Sequence, residues 1–77
     1  MWQETNNQLV RKFVFDNFIE AFAFLTKVAI LSEKHQHHAH IVNVYNKVTL
    51  TLSTHDAGNI VTTKDRALAA DIDKLLG

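Results

Sequence analysis

Residues 41–54 read IVNVYNKVTLTLST. Val42 and Val44 flank polar Asn43, and Val48, Leu50 and Leu52 alternate with Thr49, Thr51 and Ser53. Apolar side chains at every second position belong to strands with one buried face. Two such runs, broken near Asn46-Lys47, predict an antiparallel hairpin. Upstream, residues 17–34, NFIEAFAFLTKVAILSEK, predict a helix with Asp16 as its N-cap. Phe18, Phe22, Leu25 and Ala29 recur at helical spacing and are expected to face the sheet. Phe24, Ile30 and Leu31 lie off that line, and the polar side is narrow, essentially Glu20, Lys27 and Lys34. A helix apolar over most of its circumference is buried on more than one side. In so small a domain the second side is expected to meet another subunit.

Downstream, HDAGN (55–59) reads as a loop and TTKDRALAADIDKLLG (62–77) as the closing helix. Thr62 with Asp65 three positions on resembles a capping box, Asp replacing Glu. Leu68, Ile72, Leu75 and Leu76 form the apolar stripe, and Gly77 stands where a helix stops. At the N-terminus QLVRKFVF (8–15) has strand character, ETNN (4–7) reads as a turn, and Trp2 before it starts a short pairing strand. The order is strands, helix, strand, strand, helix. That predicts an α+β two-layer sandwich, a small antiparallel sheet with two helices packed on one face, with residues 1–77 as a single domain.

A domain of 77 residues rarely draws more than roughly 3–5 kcal/mol of net stability from its own core. Without cysteine, disulfides and thiolate zinc sites are excluded, which leaves a histidine-bound metal or oligomerisation as reinforcement. Eight basic and eight acidic residues balance, and no basic patch argues for direct nucleic-acid binding. MWQETNNQLVRK lacks the apolar core of a secretory signal, and no apolar run is long enough to span a bilayer. The chain reads as cytoplasmic, with no membrane partner.

All five histidines, His35, His37, His38, His40 and His55, lie within 21 residues. The predicted hairpin brings the residues before Ile41 and after Thr54 to the same end of the sheet. His37 and His38 are therefore expected near His55. Three histidines and a water form a zinc set. Yet helical spacing that sets two ligands on one face is absent unless the helix runs through His35 and His38, and the only carboxylates nearby are Glu33 and Asp56. Histidine also gives and takes protons near neutrality. Proton transfer fits these residues better than a metal, and no metal or cofactor is predicted; solvated surface histidines are the plain alternative.

EKHQHH (33–38), NVYNKV (43–48), TLSTH (51–55) and Asp65 together resemble the pterin-4a-carbinolamine dehydratase family. Trp2, FVFDNFIEAFAFLTKVA (13–29) and the closing helix are similar to family sequence as well. The chain departs from the pattern at Ala39, where proline is usual, and at His40-Ile41, where an aromatic is usual. The similarity to family sequence starts at Trp2, so a leading segment of the family pattern is expected to have no counterpart here. The resemblance implies a hydro-lyase that converts 4a-hydroxytetrahydropterin to quinonoid dihydropterin and water in tetrahydrobiopterin recycling. It implies His37, His38 and His55 as catalytic residues, with His38 and His55 as the proton-transfer pair and His37 positioning. Ala39, Thr54, Asp56 and Ala57 would line the pterin site. Asp65 would orient a histidine or merely cap its helix, Glu33 would hold a histidine or close the long helix, and Tyr45 would pack. His35 and His40 have no counterpart and read as surface residues. The partners implied are the pterin substrate and further copies of the chain, as a dimer or tetramer through the long helix or a sheet edge. Family members also serve as dimerisation cofactors for a homeodomain transcription factor, so a non-catalytic interaction module is the alternative.

Overall fold

The computed structural model describes residues 1–76. Its elements run β1 (Gln3–Thr5), β2 (Gln8–Val14), α1 (Phe18–His35), β3 (His40–Val44), β4 (Lys47–Leu52), a short 3-10 turn (His55–Ala57) and α2 (Thr63–Lys74). The strands form one antiparallel sheet in the order β1-β2-β4-β3. Register aligns Leu9 with Leu52, Arg11 with Leu50 and Phe13 with Val48. The apolar residues among these point to one face. There they form a single core with Ala21, Phe24, Leu25 and Val28 of α1 and Leu68, Ala69 and Ile72 of α2. The expected sandwich, with both helices on one face, is the architecture observed.

The N-terminal hairpin turns at Asn6-Asn7, both with positive φ (50° and 62°). Asparagine tolerates this region better than most residues, and two such residues in a row suit a two-residue hairpin turn. Asp73 of α2 ties this hairpin down, accepting from Trp2 Nε1 and Arg11 Nη1, each at 2.7 Å. Aromatic packing continues inward, with Phe24 centred 4.8 Å from Phe13 and 5.0 Å from Phe15.

Several expectations shift. The N-cap of α1 is Asn17, not Asp16: Asn17 Oδ1 accepts from the Glu20 amide at 2.9 Å. Phe15 is held in extended pairing with Asn46 through its amide and its carbonyl, both at 2.9 Å, so the helix starts only beyond it. The buried face of α1 is Ala21, Phe24, Leu25, Val28 and Ser32. Of the line expected to face the sheet only Leu25 does; Phe18, Phe22 and Ala29 are exposed. Two apolar flanks run along this helix, and the aromatic cluster around Phe13 selects the one carrying Phe24. The outward flank carries Phe18, Ile19, Phe22 and Ile30, whereas Phe24 is in the core and Leu31 packs against it.

The central hairpin turns one residue earlier than expected, at Tyr45-Asn46, since Val44 pairs with Lys47. Asn43 Nδ2 stabilises the turn by donating to the carbonyls of Tyr45 and Lys47. Tyr45, expected to pack, is exposed at φ 52°. In β4 the alternation holds, with Val48, Leu50 and Leu52 buried. In β3 it is reversed. Pairing sets Ile41 opposite Leu50 and Asn43 opposite Val48, which sends Val42 and Val44 to the uncovered face. α2 begins with the expected capping box: Thr62 accepts from the Lys64 amide, and Asp65 Oδ2 accepts from the Thr62 amide at 2.8 Å. Of its stripe, Leu68 and Ile72 are buried, Leu75 is half-buried and Leu76 is exposed. The stop expected at Gly77 lies outside the described residues.

Candidate active site

The site begins where α1 stops. His35 is its last residue, and Gln36 follows in the left-handed region (φ 50°, ψ 43°). The amides of Gln36 and His37 donate back to the carbonyls of Glu33 (3.1 Å) and Ser32 (3.0 Å). These paired bonds make a Schellman turn. It gives the reversal that two adjacent histidines need to share one pocket. On the other side, β4 ends and the chain closes a small loop on Thr54. The Thr54 amide donates to Ile60, and its carbonyl accepts from Ala57 and Asn59.

Beneath both segments lies Asp65, with no solvent exposure. Its Oδ1 is 2.5 Å from His37 Nε2, and its Oδ2 accepts from Thr54 Oγ1 at 2.7 Å and from the Thr62 amide. Thr54 and Thr62 hydroxyls are themselves 2.6 Å apart. Burial by itself raises the Asp65 pKa. The hydrogen bonds from His37, the Thr62 amide and Thr54, with the positive charge His37 carries when protonated, outweigh burial and hold the carboxyl below its ordinary value. A carboxylate accepts only, so His37 carries hydrogen on Nε2 and the neutral ring keeps its lone pair on Nδ1.

His37, His38 and His55 line one cavity of about 260 Å³, together with Thr54 and Asp56. Gln36, Ser53 and Lys64 complete the lining; the first two fall within EKHQHH and TLSTH, but nothing in the sequence singled out any of the three. His37 is nearly buried, its side chain 10% exposed, whereas His38 stands in solvent with Nε2 bonded to Glu33 Oε1 at 2.5 Å. Glu33 thus closes the helix through its carbonyl and holds a histidine through its side chain. His55 Nδ1 lies 3.1 Å from Asn59 Oδ1, an acceptor, so the neutral His55 ring has its lone pair on Nε2. The other residues implied for the pterin site fall differently. Asp65 reaches the cavity only through His37. Ala39 packs on the core, and Ala57 is exposed on the 3-10 turn; neither is a lining residue.

The two remaining histidines also have places. His35, expected at the surface, is half-buried with Nε2 2.7 Å from Asp71 Oδ2, joining the end of α1 to α2. That hydrogen bond lowers the Asp71 pKa against the opposing effect of burial, and Lys74 at 3.6 Å adds to it. His40 is exposed, on the first residue of β3. Among the described residues no three His, Asp or Glu side chains are grouped to hold a metal ion. No helix of the described residues is long and apolar enough to cross a membrane.

Fold and site together define a small α+β protein that gathers imidazoles at one end of its sheet over a buried carboxylate. Residues 1–75 match the family model described as pterin 4 alpha carbinolamine dehydratase, and the chain belongs to that family. It is 49% identical over 74 residues to a protein of Prochlorococcus marinus strain MIT 9312, provisionally named as such a dehydratase, covering 96% of this chain and 76% of the relative. A similarly named protein of strain NATL2A is 53% identical over 75 residues, with 97% and 78% covered. Among solved structures, a transcriptional coactivator/pterin dehydratase from Brucella melitensis superposes with a TM-score of 0.92 at 36% identity, over 99% of this chain and 82% of that one. A pterin dehydratase-like protein described as a RuBisCO assembly factor in the alpha-carboxysome superposes with a TM-score of 0.78 at 31% identity, over 100% and 88%.

Proposed function

We propose that this chain is a cytoplasmic dehydratase of 4a-hydroxytetrahydropterin, yielding quinonoid dihydropterin and water by histidine acid–base catalysis. The observation that carries the reading is the meeting of His37, His38 and His55 around one cavity, with His37 held by buried Asp65. The reaction is two proton transfers around one bond cleavage. The C4a–O bond breaks with its electron pair on oxygen, which takes a proton and leaves as water. The N5–H pair becomes the second bond of C4a=N5 as its proton is removed. His55, with its lone pair on Nε2, takes the N5 proton; His38 gives one to the departing hydroxyl. His37 positions the substrate, its ring fixed by Asp65, and Thr54 and Asp56 complete the wall. Each transfer contributes about 10²–10⁴-fold to such reactions.

The test is the decay of freshly generated 4a-hydroxytetrahydropterin, followed by absorbance with and without the protein. Acceleration is expected, falling about 100-fold or more in His38→Ala and in His55→Ala. Acceleration that survives both substitutions would remove the histidines from the chemistry.

A second reading rests on another surface. Phe18, Ile19, Phe22 and Ile30 form an outward apolar flank on α1, and β3 is an open sheet edge. Either suits a second copy of this chain, as a dimer or tetramer. The solved relative described as a RuBisCO assembly factor supports an interaction role for this fold. In a purely non-catalytic module the flank, and not the histidines, would be what matters.

A further inference from the structure

We infer that the uncovered face of the sheet is a docking surface for an acidic amphipathic helix of a partner protein. This surface is separate from the histidine cavity, and the inference stands whether or not the chain turns over a pterin. An antiparallel sheet with one solvated face ordinarily alternates apolar inward with polar outward. β3 does the opposite. Asn43 lies opposite Val48 on the helix side, and Val42 and Val44 face out, 45% and 66% exposed. Register gives these valines neighbours. Lys47 of β4 pairs with Val14 on one side and Val44 on the other, and in the next outward row Thr49 lies between Lys12 and Val42. Val14 is 72% exposed. These residues wall a shallow concavity of about 250 Å³, which Phe13 and Val48, whose side chains lie in the core, complete. None of them lines the histidine cavity.

Strand propensity accounts for valine in an edge strand, but not for the distribution of charge. The chain as a whole is neutral, with eight residues of each sign. Lys12 and Lys47 both stand on the uncovered face. Glu4, the one acidic strand residue, pairs with Leu9 on the helix side and accepts from Arg66 at 2.8 Å. Among the described residues neither lysine has a carboxylate partner. Lysine stems extend the aliphatic surface and leave the ammonium groups at its rim. The complement of such a face is an aliphatic stripe flanked by carboxylates.

The sheet also selects the form of the partner. Within β2, β4 and β3 the backbone groups bond to one another, so a ligand on the face meets side chains. An extended segment needs backbone partners, which only the edge of a sheet offers. A helix satisfies its own backbone, and three strands span about 10 Å, the breadth of one helix. Other anionic surfaces fit less well. Segments that bind acidic lipid carry clusters of about 4–8 basic residues, where this concavity has two lysines. Single-stranded nucleic acid stacks on aromatic rings, and the one aromatic strand residue, Phe13, points to the core.

The experiment titrates the full chain into a fluorescent peptide of about 20 residues, long enough to hold a helix in water, and reads anisotropy. The peptide carries leucines along one helical face with glutamates beside them. One control replaces the glutamates by lysines, and a second scatters the leucines around the helix. The wild-type chain is expected to bind the first peptide about tenfold tighter than either control at low ionic strength, the margin over the lysine peptide narrowing at about 1 M salt. Lys12→Glu combined with Lys47→Glu should reverse the order of the glutamate and lysine peptides. Val14→Thr combined with Val44→Thr keeps β-branched residues in the strands and should weaken the first peptide about fivefold without changing that order. All four positions are exposed. Lys47→Glu and Val44→Thr alone, each with a smaller change in the same direction, replace a pair that fails to fold. In the wild-type chain, amide resonances shifted by the peptide should cluster on β2, β4 and β3. Equal binding of all three peptides, binding of none, an unchanged order in the glutamate variant, or shifts along α1 each overturn the proposal. So does capture by phosphatidylserine vesicles without binding of the peptide, which makes a lipid surface the occupant. A dimer that the threonine variant dissolves overturns it too, since the face then belongs to a second copy of the chain.

Discussion

Asp65 shows how one side chain can serve two structures. Its Oδ2 caps α2 and anchors Thr54, while its Oδ1 holds His37. Asp65→Ala deprives three buried or half-buried donors at once. Each unsatisfied buried group costs about 1–3 kcal/mol, so a total loss of about 3 kcal/mol is expected by urea denaturation. That is most of what so small a core supplies. Asp65→Asn keeps the volume but places an amide nitrogen where one of the donors must be accepted, and should lose less. The pH dependence follows from the depressed pKa of the carboxyl. Its stabilising effect is fully present above the ordinary carboxylate range near about pH 4 and is lost as pH falls through the lower folded value. The wild-type chain should therefore lose stability below about pH 4, and the Asp65→Asn variant should show a shallower acid decline. An identical decline in both would place the acid sensitivity elsewhere. This residue also marks how far the sequence reaches into the site. The capping-box pattern located Asp65 at the helix start, and the hairpin located His37, His38 and His55 at one end of the sheet. Neither shows that the carboxylate is buried beneath His37, because that contact joins residues 28 positions apart through a turn no pattern announces.

That turn belongs to the scale of the element. Gln36 stands in the left-handed region, where a Cβ is unfavourable, yet the Schellman bonds at the end of α1 require this conformation. Gln36→Gly should stabilise the fold by about 0.5–1 kcal/mol, read as a higher denaturation midpoint with an unchanged slope. Gln36→Val should destabilise it, since a β-branched residue fits this region worst. The side chain of Gln36 also lines the histidine cavity, so activity separates its two roles. A turn that only sets the backbone keeps its turnover in the glycine variant; a fall in turnover with raised stability assigns the amide a place against substrate. At this scale the sequence was legible in part. Element order, the capping box and both hairpins follow from period and turn chemistry. The inward face of α1 does not, because both flanks are apolar and only the Phe13–Phe15–Phe24 cluster decides between them. The same holds for β3, whose register against β4 fixes which of its alternating residues face the helices, whatever their own polarity.

For the whole molecule the question is what covers the outward flank of α1. Phe22 is 53% exposed and Ile30 63%, with Phe18 and Ile19 beside them, while the core is only one small cluster. Scattered apolar side chains on a surface are ordinary, but four on one helix flank, with the Phe18 and Phe22 rings 5.5 Å apart, are more than a scatter. A second copy docking there would add burial to a domain that has little of its own, and a standard interface removes roughly 800 Å² per partner from water. Association then contributes to stability through mass action, so the unfolding midpoint should rise with protein concentration. Phe22→Glu and Ile30→Glu place a charge in that patch without touching the core. Both are expected to yield monomers by sedimentation velocity, with a midpoint that no longer depends on concentration. Phe24→Glu, by contrast, should abolish folding, since that ring is sealed between Phe13 and Phe15. The residues lining the histidine cavity come from the α1 end, the β4 end, the 3-10 turn and the α2 start and include none of the flank residues, so the glutamate variants should retain turnover in proportion to the fraction folded. If they remain oligomeric, the open edge of β3 becomes the interface, and Val42 and Val44 on the uncovered face beside it are the next positions to charge.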